Sequence, residues 1–225
     1  MQKINSLVPA HVAIIMDGNR RWARKNGLAI IRGHRKVAEE MIERLADFAI
    51  AKNIKYLTLW AFSTENWQRP PEEISGIMDL FRETFQTSAK RLHEKQVRVA
   101  VIGDMSRFPK DIQDGVDFWI KETVNNQKLT VTFALNYGGR DEIRRAVQQG
   151  EENFEQFMDT KQKIDLPDPD LLIRPGGEQR LSGFLTWQTV YTELYFTDVL
   201  MPDFDEAEFE KALAEYVLRQ RRFGK

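Results

Sequence analysis

Short apolar runs alternate along the chain with longer stretches whose apolar residues recur at helical spacing. Five β-rich runs are predicted as strands, at residues 11–16, 56–62, 97–102, 129–136 and 171–173. Between them, apolar positions three or four residues apart, such as Val37, Met41 and Leu45, predict amphipathic helices. A last helix is predicted at residues 205–222. This alternation predicts an α/β fold with a mostly parallel central sheet and helices on both of its faces.

The chain shows no internal repeat, low-complexity tract or linker. Residues 148–170 are polar and end in Leu-Pro-Asp-Pro-Asp, which is typical of a helix end followed by a surface connection. We therefore predict a single domain over residues 1–225. Ligands of such sheets bind beyond the carboxyl ends of the strands, where several polar motifs of this sequence fall.

Charge and composition narrow the function classes. The 33 Lys and Arg residues nearly balance the 34 Asp and Glu residues, so there is no overall positive field for nucleic acid, and a small anionic ligand is favoured. The absence of cysteine excludes disulfides and thiolate metal sites. No leader pattern and no apolar stretch of ~20 residues is present, which predicts a cytoplasmic protein without a transmembrane segment. An apolar substrate would have to be sheltered inside the fold.

The first polar motif is Met-Asp-Gly-Asn-Arg-Arg-Trp at residues 16–22, directly after the first strand. Gly18 lets the backbone approach a ligand, the following amides can hold phosphate oxygens, and Arg20 and Arg21 add charged donors. Asp17 lies where Mg²⁺ would bridge a carboxylate to phosphate. The alternative is an Asp-Gly turn with solvated arginines. Two arginines and a tryptophan at a strand end favour the phosphate site.

Two further segments have interpretations that stay open. His34 opens a helix where it could contact the same crevice, but a lone histidine is as often structural. Residues 61–70, between a strand and a helix starting near Pro70, are rich in donor side chains. They form either a ligand-contacting loop or a capped turn with Trp67 anchored in the core.

A second anion site is predicted where Arg174 ends a strand and is followed by a glycine pair, Arg180 and Ser182. Guanidinium groups bind phosphate oxygens bidentately, which suits a diphosphate. A loop closed by an ion pair with Glu178 is the alternative. Glu193 stands between apolar residues that are expected to be buried, so it needs a metal or an arginine as partner.

The helix at residues 74–92 carries many large apolar side chains, including Phe81 and Phe85. Core packing is the default explanation for such a stripe. The wall of a hydrophobic tunnel is the more specific one, and the sequence does not separate the two.

Together, these segments resemble the undecaprenyl diphosphate synthase family of cis-prenyltransferases in order and spacing, over nearly the whole chain. The matching motifs are Asp-Gly-Asn-Arg-Arg-Trp at 17–22, Gly-His at 33–34, Phe-Ser-Thr-Glu-Asn-Trp at 62–67, Asn-Tyr-Gly-Gly-Arg at 136–140, Asp-Leu-Leu-Ile-Arg at 170–174, Gly-Glu-Gln-Arg-Leu-Ser at 177–182, Glu-Leu-Tyr-Phe at 193–196, Pro-Asp-Phe at 202–204 and Arg-Arg-Phe-Gly at 221–224. No single motif is unique, but the ordered set is specific. The paired aspartate-rich helices of trans-prenyltransferases are absent.

The resemblance implies a Mg²⁺-dependent transferase that condenses isopentenyl diphosphate with an allylic diphosphate, expected to be farnesyl diphosphate. The expected product is a cis-polyprenyl diphosphate, undecaprenyl diphosphate for a cell-wall lipid carrier, whose chain grows into a hydrophobic tunnel. The resemblance also implies a homodimer, in which Arg222 and Gly224 reach a neighbouring active site. Peripheral membrane contact would serve product release.

The resemblance assigns roles to individual residues. The allylic site would comprise Asp17, Gly18, Asn19, Arg20, Arg21, Trp22, His34 and Arg69, and isopentenyl diphosphate would bind through Arg174, Arg180 and Ser182. Asp17 and Glu193 would hold the metal. Ser63, Asn66 and Trp67 would lie near the reacting carbons, where Asn66, Ser63 or the leaving diphosphate would accept the proton.

The chain departs from the family pattern at four positions. Ile30 replaces an arginine, for which Arg32 would substitute, and Val37 replaces a small residue. Pro175 and Gly183 replace a Ser or Thr and an Asn, respectively. These changes bear on allylic binding and starter choice. A short-chain or irregular coupling enzyme is therefore an alternative, and so is a non-catalytic partner subunit, although the intact Asp17 disfavours the latter.

Overall fold

A computed structural model describes residues 8–219, with all side chains in that range except that of Gln86. Its sheet has six strands, all pairing in parallel, in the order β3-β4-β2-β1-β5-β6. They are β1 His11–Ile15, β2 Tyr56–Ser63, β3 Val97–Ile102, β4 Leu129–Tyr137, β5 Leu171–Pro175 and β6 Glu193–Thr197. The parallel sheet and the first five strands confirm the predicted fold class. The edge strand β6 was not predicted.

The described helices connect these strands. They are α1 Asn19–Lys25, α2 Ile30–Lys36, α3 Ile42–Ala51, α4 Pro71–Glu94, α5 Lys110–Glu122, α6 Gly139–Gln149, α7 Asp159–Gln162 and α8 Glu206–Leu218. A π-helical turn, Val37–Met41, joins α2 to α3. Asp205 caps α8 by accepting hydrogen bonds from two backbone amides. The prediction extended this helix to residue 222, but it ends at Leu218 because Arg219 is already extended.

Both faces of the sheet are covered, as a parallel sheet requires. Alternate residues of β1 enter different layers: Val12 and Ile14 pack beneath the helices on one face, and Ala13 and Ile15 pack on the other. All four are almost fully buried. The larger layer also receives the apolar stripe of α4, whose start at Pro71 follows the predicted pattern of prolines in a first helical turn. None of the described helices has the length and apolarity needed to cross a bilayer.

The segment at residues 148–170 is more buried than its polar composition predicts. Asp159 and Thr160 are each 2% exposed. The Asp159 carboxylate binds Arg145 at 2.8 Å and accepts from the Gly103 amide at 2.8 Å. Glu142 accepts from the Tyr137 hydroxyl at 2.7 Å and from the Gln188 amide at 3.0 Å. We call these residues the α6 cluster: Tyr137, Glu142, Arg145, Asp159, Thr160 and Gln188. The prediction of a surface connection was wrong for Asp159 and Thr160, because this cluster draws both inward.

Candidate active site

The carboxyl ends of β1 and β5 bring Asp17 and Arg174 together. The Arg174 Nη2 donates to Asp17 Oδ2 at 2.9 Å, while Asp17 Oδ1 accepts from Arg21 at 3.2 Å and from the Gly18 amide at 2.6 Å. Partial burial acts to raise the pKa of Asp17, but the hydrogen bond and charge of Arg174 act in the opposite direction. With the Gly18 amide and Arg21, they hold that pKa below its usual value. Asp17 is therefore an anion at neutral pH.

The loop after β5 folds back onto this pair. The Arg174 side chain is 6% exposed and donates through Nη1 to Ser182 Oγ at 2.9 Å and to the carbonyl of Arg180. Arg21 reaches across to the Gly176 carbonyl at 2.6 Å. Arg174 is thus held rigidly between the strand end and the loop that carries Ser182.

A second group of basic side chains, His34, Arg20 and Arg69, lies on the α1 and α2 side. Gly33 permits the approach of these helices, since a Cβ there would lie 2.1 Å from the Asn19 carbonyl oxygen. The ring of His34 then comes within 3.4 Å of the Asn19 side chain. Burial lowers the pKa of His34 to about 4, helped by the charges of Arg69 and Arg20. His34 is therefore neutral at neutral pH.

Glu73 orders the two arginines beside His34. Its carboxylate is 8% exposed and lies 3.1 Å from Arg69 and 3.5 Å from Arg20. The sequence analysis missed Glu73, although its position in the first turn of α4, four residues after Arg69, was an available signal. A small cavity of about 250 Å³ opens between these cations and the turn after β1.

Several buried polar atoms at this edge lack a hydrogen-bond partner. Six such side-chain atoms occur in the part of the chain that the structure describes, and four belong to Asn19 (Oδ1), Arg20 (Nε), His34 (Nε2) and Arg174 (Nε). Buried polar groups are rarely left unsatisfied unless a ligand or water completes them. We call Asp17 and these four residues, with Arg69, the cavity mouth. Three of its four unpaired atoms are nitrogens, which suits an anionic ligand rich in acceptor oxygens.

An apolar cavity of about 410 Å³ leads from the cavity mouth beneath α4. Its polar end includes Asp17, His34, Arg69, Arg174 and Ser182. Its body is lined by Val37, Ala38, Ile42, Trp60, Phe62, Ile77, Leu80, Phe81, Phe85, Phe133 and Leu135. The apolar stripe of α4 therefore serves both predicted purposes, because Phe81 and Phe85 pack in the core and line the cavity.

The turn after β2 contributes to the middle of the cavity. Ser63 and Asn66 line it, and they also cap the turn reciprocally, with the Ser63 amide donating to Asn66 Oδ1 at 3.0 Å. Trp67 packs edge-on against Phe62 and donates to the Asn136 side chain at 2.8 Å. It is absent from the cavity lining among the described residues. Of the two interpretations of this segment, the anchored tryptophan is the one that the geometry favours for Trp67.

Besides Trp67, three predicted ligand-binding residues lie away from the cavity. Trp22 donates to Asp203 at 2.8 Å and packs against Lys36. Arg32 is exposed and lines neither cavity described above. Arg180 is 61% exposed and pairs with Glu178, which is the loop ion pair that the sequence offered as the alternative. Arg222 and Gly224 lie outside the described residues.

Glu193 does not join Asp17 within one chain. It opens β6 and pairs in register with Leu171, three residues before Arg174, which places it about 10 Å back along the strands. It is half-buried and binds Arg219 at 3.3 Å. Of the two partners that the sequence offered for Glu193, a metal or an arginine, the described residues supply the arginine. Its assignment to a metal ion stays a prediction.

Asp17 is the acidic side chain best placed to hold a metal ion at the cavity mouth. In residues 8–219, no group of three or more His, Cys, Asp or Glu side chains is arranged to bind a metal. An ion here would need ligands from a substrate as well. One carboxylate completed by phosphate oxygens and water is the usual way in which Mg²⁺ is held. The residues present fit that arrangement.

Comparison with known proteins identifies the family. A family profile described as "Putative undecaprenyl diphosphate synthase" matches residues 15–224. The chain belongs to this prenyltransferase family. An isoprenyl transferase of Fusobacterium nucleatum is 45% identical over 222 residues, covering 96% of each chain. A Photorhabdus laumondii relative, named ditrans,polycis-undecaprenyl-diphosphate synthase ((2E,6E)-farnesyl-diphosphate specific), is 44% identical and covers 98% of this chain and 91% of its own.

Two solved structures of prenyl diphosphate synthases share the fold of this chain. Lavandulyl diphosphate synthase from Lavandula x intermedia, in complex with dimethylallyl diphosphate, is 36% identical with a TM-score of 0.90, covering 97% of this chain and 99% of its own. A probable undecaprenyl diphosphate synthase from Campylobacter jejuni is 33% identical with a TM-score of 0.80, covering 99% of this chain and 100% of its own. The resemblance found in the sequence motifs is therefore confirmed.

Proposed function

We propose that this prenyltransferase condenses isopentenyl diphosphate with an allylic diphosphate, farnesyl diphosphate first of all, in a Mg²⁺-dependent reaction. The product would be a cis-polyprenyl diphosphate, expected to extend to undecaprenyl diphosphate. The observation that carries this proposal is the cavity mouth itself. Unpaired buried donors and one ionised carboxylate stand at the entrance of the apolar cavity. A molecule with a diphosphate head and a hydrocarbon tail fits both parts.

The allylic diphosphate would lie between Arg20, Arg21, His34 and Arg69, with its tail in the apolar cavity. Neutral His34 donates one N–H, and the arginines supply charge-assisted hydrogen bonds. Asp17 would hold Mg²⁺ together with phosphate oxygens. The bound ion would neutralise the charge that develops on the leaving diphosphate.

Isopentenyl diphosphate would bind on the β5 side. Arg174 is fixed by Ser182 and keeps an unpaired Nε, so it can donate to a phosphate oxygen without rearranging. Arg180 is close in sequence but turned to Glu178, and we expect it to exchange this exposed partner for the phosphate. The two diphosphates would then lie on neighbouring strand ends.

The reaction is an exchange of a C–O bond for a C–C bond. The allylic C1–O bond breaks and the diphosphate leaves with the electron pair, while the terminal alkene carbon of isopentenyl diphosphate bonds to C1. A proton then leaves C2 of the isopentenyl unit and restores a double bond. Ser63, Asn66 and the departing diphosphate are the proposed acceptors. The fixed arginines lower the barrier by meeting developing charge with preorganised donors.

A homodimer in the cytoplasm completes the proposal. Trp187, Val190, Tyr191 and Leu218 are between 44% and 81% exposed near the β6 edge. Large apolar side chains exposed beside an edge strand are candidates for burial against a second copy of the chain. Sedimentation of the purified protein tests the dimer, and Val190→Glu should shift it to monomer. A monomer at all concentrations would contradict this part. Peripheral membrane contact for product release is tested by co-sedimentation with vesicles in the presence of product.

The central experiment is incorporation of labelled isopentenyl diphosphate. Purified protein is incubated with Mg²⁺ and with dimethylallyl, geranyl or farnesyl diphosphate in turn, and the products are sized. We expect cis products with farnesyl diphosphate, and loss of incorporation when EDTA removes Mg²⁺. Absence of incorporation with every starter would contradict the proposal and favour a non-catalytic partner subunit.

A second candidate is short-chain or irregular coupling. The likeness to lavandulyl diphosphate synthase and the bulk of Phe85 and Phe133 in the cavity lining favour it. Incubation with dimethylallyl diphosphate alone separates the two functions. A ten-carbon product without isopentenyl diphosphate would support irregular coupling, and its absence would support chain elongation.

A further inference from the structure

The Asn-Tyr-Gly-Gly-Arg motif at residues 136–140 lies outside the linings of both cavities at the site. It leads from the end of β4 into α6, and residues 136–139 are buried. We call these four residues the β4 corner. In the sheet, β4 neighbours β2 but is separated from β5 by β2 and β1. Even so, the β4 corner contacts both the turn after β2 and the loop after β5.

Asn136 fixes the turn after β2 through both ends of its side-chain amide. Its Oδ1 accepts from Trp67 Nε1 at 2.8 Å, and its Nδ2 donates to the Asp104 carbonyl at 2.8 Å. Its backbone is left-handed, with a φ of 44°, a conformation that asparagine adopts more readily than most residues. The Arg107 guanidinium lies over the indole of Trp67, 4.6 Å from the ring centroid. Because Trp67 belongs to the 3₁₀ turn Thr64–Gln68, contacts that hold its ring also hold the turn.

The two glycines of the β4 corner make close contacts on either side. A Cβ at Gly138 would lie 2.8 Å from Thr64 Oγ1, in the turn after β2. The Gly139 amide donates to the Gly183 carbonyl at 2.7 Å, in the loop after β5. A Cβ at Gly139 would lie 2.8 Å from that carbonyl oxygen and 2.5 Å from Thr186 Oγ1. Both segments therefore approach the β4 corner more closely than a side chain would allow.

We propose that the β4 corner is a positioning element that sets the separation between the turn after β2 and the loop after β5. The turn carries Ser63 and Asn66 into the cavity, and the loop carries Ser182, which holds Arg174 at 2.9 Å. Ser63 and Ser182 are each one residue away from a segment contact with a glycine of the corner. The inference rests on the proposed function, in which these groups meet the two substrates. A misplacement of about 1 Å costs a reaction roughly 100-fold in rate.

Gly138→Ala tests the β2 side of the corner. The backbone of Gly138 is extended, with a φ of −147°, so alanine fits the main chain and acts through its clash with Thr64. We expect kcat for incorporation of isopentenyl diphosphate to fall about 100-fold per folded molecule, with little change in KM. Thr64→Ala in that background removes the clashing atoms, leaves a Cβ at 3.8 Å and should restore most of the rate. Gly115→Ala is the matched control in α5, where a Cβ meets the Phe85 Cβ at 3.9 Å, and it should leave the rate unchanged. A wild-type kcat in Gly138→Ala, or no recovery with Thr64→Ala, would overturn the proposal.

Gly139→Ala tests the β5 side and should give a different kinetic pattern. Its Cβ displaces the loop that holds Ser182 against Arg174, so the KM for isopentenyl diphosphate should rise about tenfold, as for one charged hydrogen bond. The value of kcat should change less than in Gly138→Ala. If both variants lowered only the melting temperature and kept wild-type kinetic constants per folded molecule, the corner would be merely structural and the proposal would be overturned.

A measurement without catalysis separates this inference from the proposed function. The five tryptophans are replaced with 5-fluorotryptophan, and the ¹⁹F NMR signal of Trp67 is assigned with Trp67→Phe. We expect this signal to move in Gly138→Ala and to return in the double variant with Thr64→Ala, while the signals of Trp22 and Trp119 stay in place. An unmoved Trp67 signal in Gly138→Ala would overturn the proposal. If wild-type protein incorporated no isopentenyl diphosphate, the proposed function would fail, and this signal would still decide whether the corner positions the turn.

Discussion

The cavity mouth and the α6 cluster contain similar side chains, but they are completed in different ways. In the α6 cluster, Glu142 accepts three hydrogen bonds and Asp159 is bound by Arg145 and Lys163. One atom of that cluster, Gln188 Oε1, lacks a partner, whereas four atoms of the cavity mouth do. Buried charge that is satisfied internally stabilises a fold, and buried charge that is not satisfied points to a ligand.

The largest effect is expected from Asp17→Asn. It removes the charge that would hold Mg²⁺ but keeps an acceptor for Arg174. Incorporation of isopentenyl diphosphate should fall about 1,000-fold, in the range seen when one transition-state contact is lost. The melting temperature should change little. Incorporation assays and thermal melts on the same preparation check this. Undiminished incorporation would show that Asp17 does not hold the metal. A large drop in melting temperature would show that Asp17 stabilises the fold, as Glu142 does.

Glu142→Ala should produce the opposite pattern. It leaves the Tyr137 hydroxyl, the Gln188 amide and the Thr160 amide unpaired in a buried cavity, at a cost of about 4 kcal/mol. The melting temperature should fall by roughly 8–16 °C. The rate per folded molecule should change less than for Asp17→Asn. Glu142→Gln, which keeps most hydrogen bonds, is the matched control and should lose clearly less stability. Equal losses for both variants would contradict the account.

The two buried histidines extend the comparison to pH. His11 contacts the Pro167 carbonyl at 2.7 Å and the Thr58 hydroxyl at 2.8 Å, while His34 Nε2 has no partner. Burial lowers the pKa of each to about 4. The lowered pKa means that the folded state favours the neutral ring, whereas the unfolded state still binds a proton near pH 6.5. The free energy of unfolding is therefore highest above pH 6.5 and falls as the pH is lowered towards 4. Each histidine should account for a loss of about 2 kcal/mol between pH 7 and pH 5.

A ligand should separate these two contributions. A diphosphate beside His34 favours the protonated ring and raises its pKa, so a bound unreactive farnesyl thiodiphosphate should remove the His34 share of the loss. The His11 share should remain. Denaturant titrations at pH 7 and pH 5, with and without this analogue, measure both. His34→Asn should abolish the effect of the ligand on the pH dependence. If the ligand altered stability equally at both pH values in wild-type protein, His34 would lie outside the anion site.

The sequence predicts those parts of the molecule that depend on backbone order. β1 to β5 are short runs buried on both faces, so their apolar composition identifies them. Asp17 and Arg174 meet because each lies at the end of a neighbouring parallel strand. By contrast, β6 is an edge strand that begins with a charged residue and is half-buried throughout. Its composition therefore gives a weaker signal.

The sequence motifs do not predict the direction in which a side chain points. Trp67 and Arg180 stand in family motifs, yet one points into the core and the other into solvent, towards Glu178. The direction of each depends on contacts distant in sequence or on loop geometry, such as the Asn136 side chain for Trp67. The same limit applies to Glu73, because it matters through its ion pairs with Arg20 and Arg69, which lie on different elements.

Arg180→Ala tests the smallest of these effects and the boundary of the cavity mouth. Because Arg180 is largely exposed and its ion pair with Glu178 is accessible to water, the substitution should leave the free energy of unfolding within about 0.5 kcal/mol of wild type. If its guanidinium turns to the substrate, the KM for isopentenyl diphosphate should rise about tenfold, as expected for loss of one charged hydrogen bond worth 1.5 kcal/mol or so. Glu178→Gln is the control, since it frees Arg180 without removing it and should not raise KM. An unchanged KM in Arg180→Ala would confine the anion site to the buried residues around Arg174. The comparison would then be sharper, because the isopentenyl diphosphate site would depend on Arg174, a buried cation with an atom left unpaired by the fold.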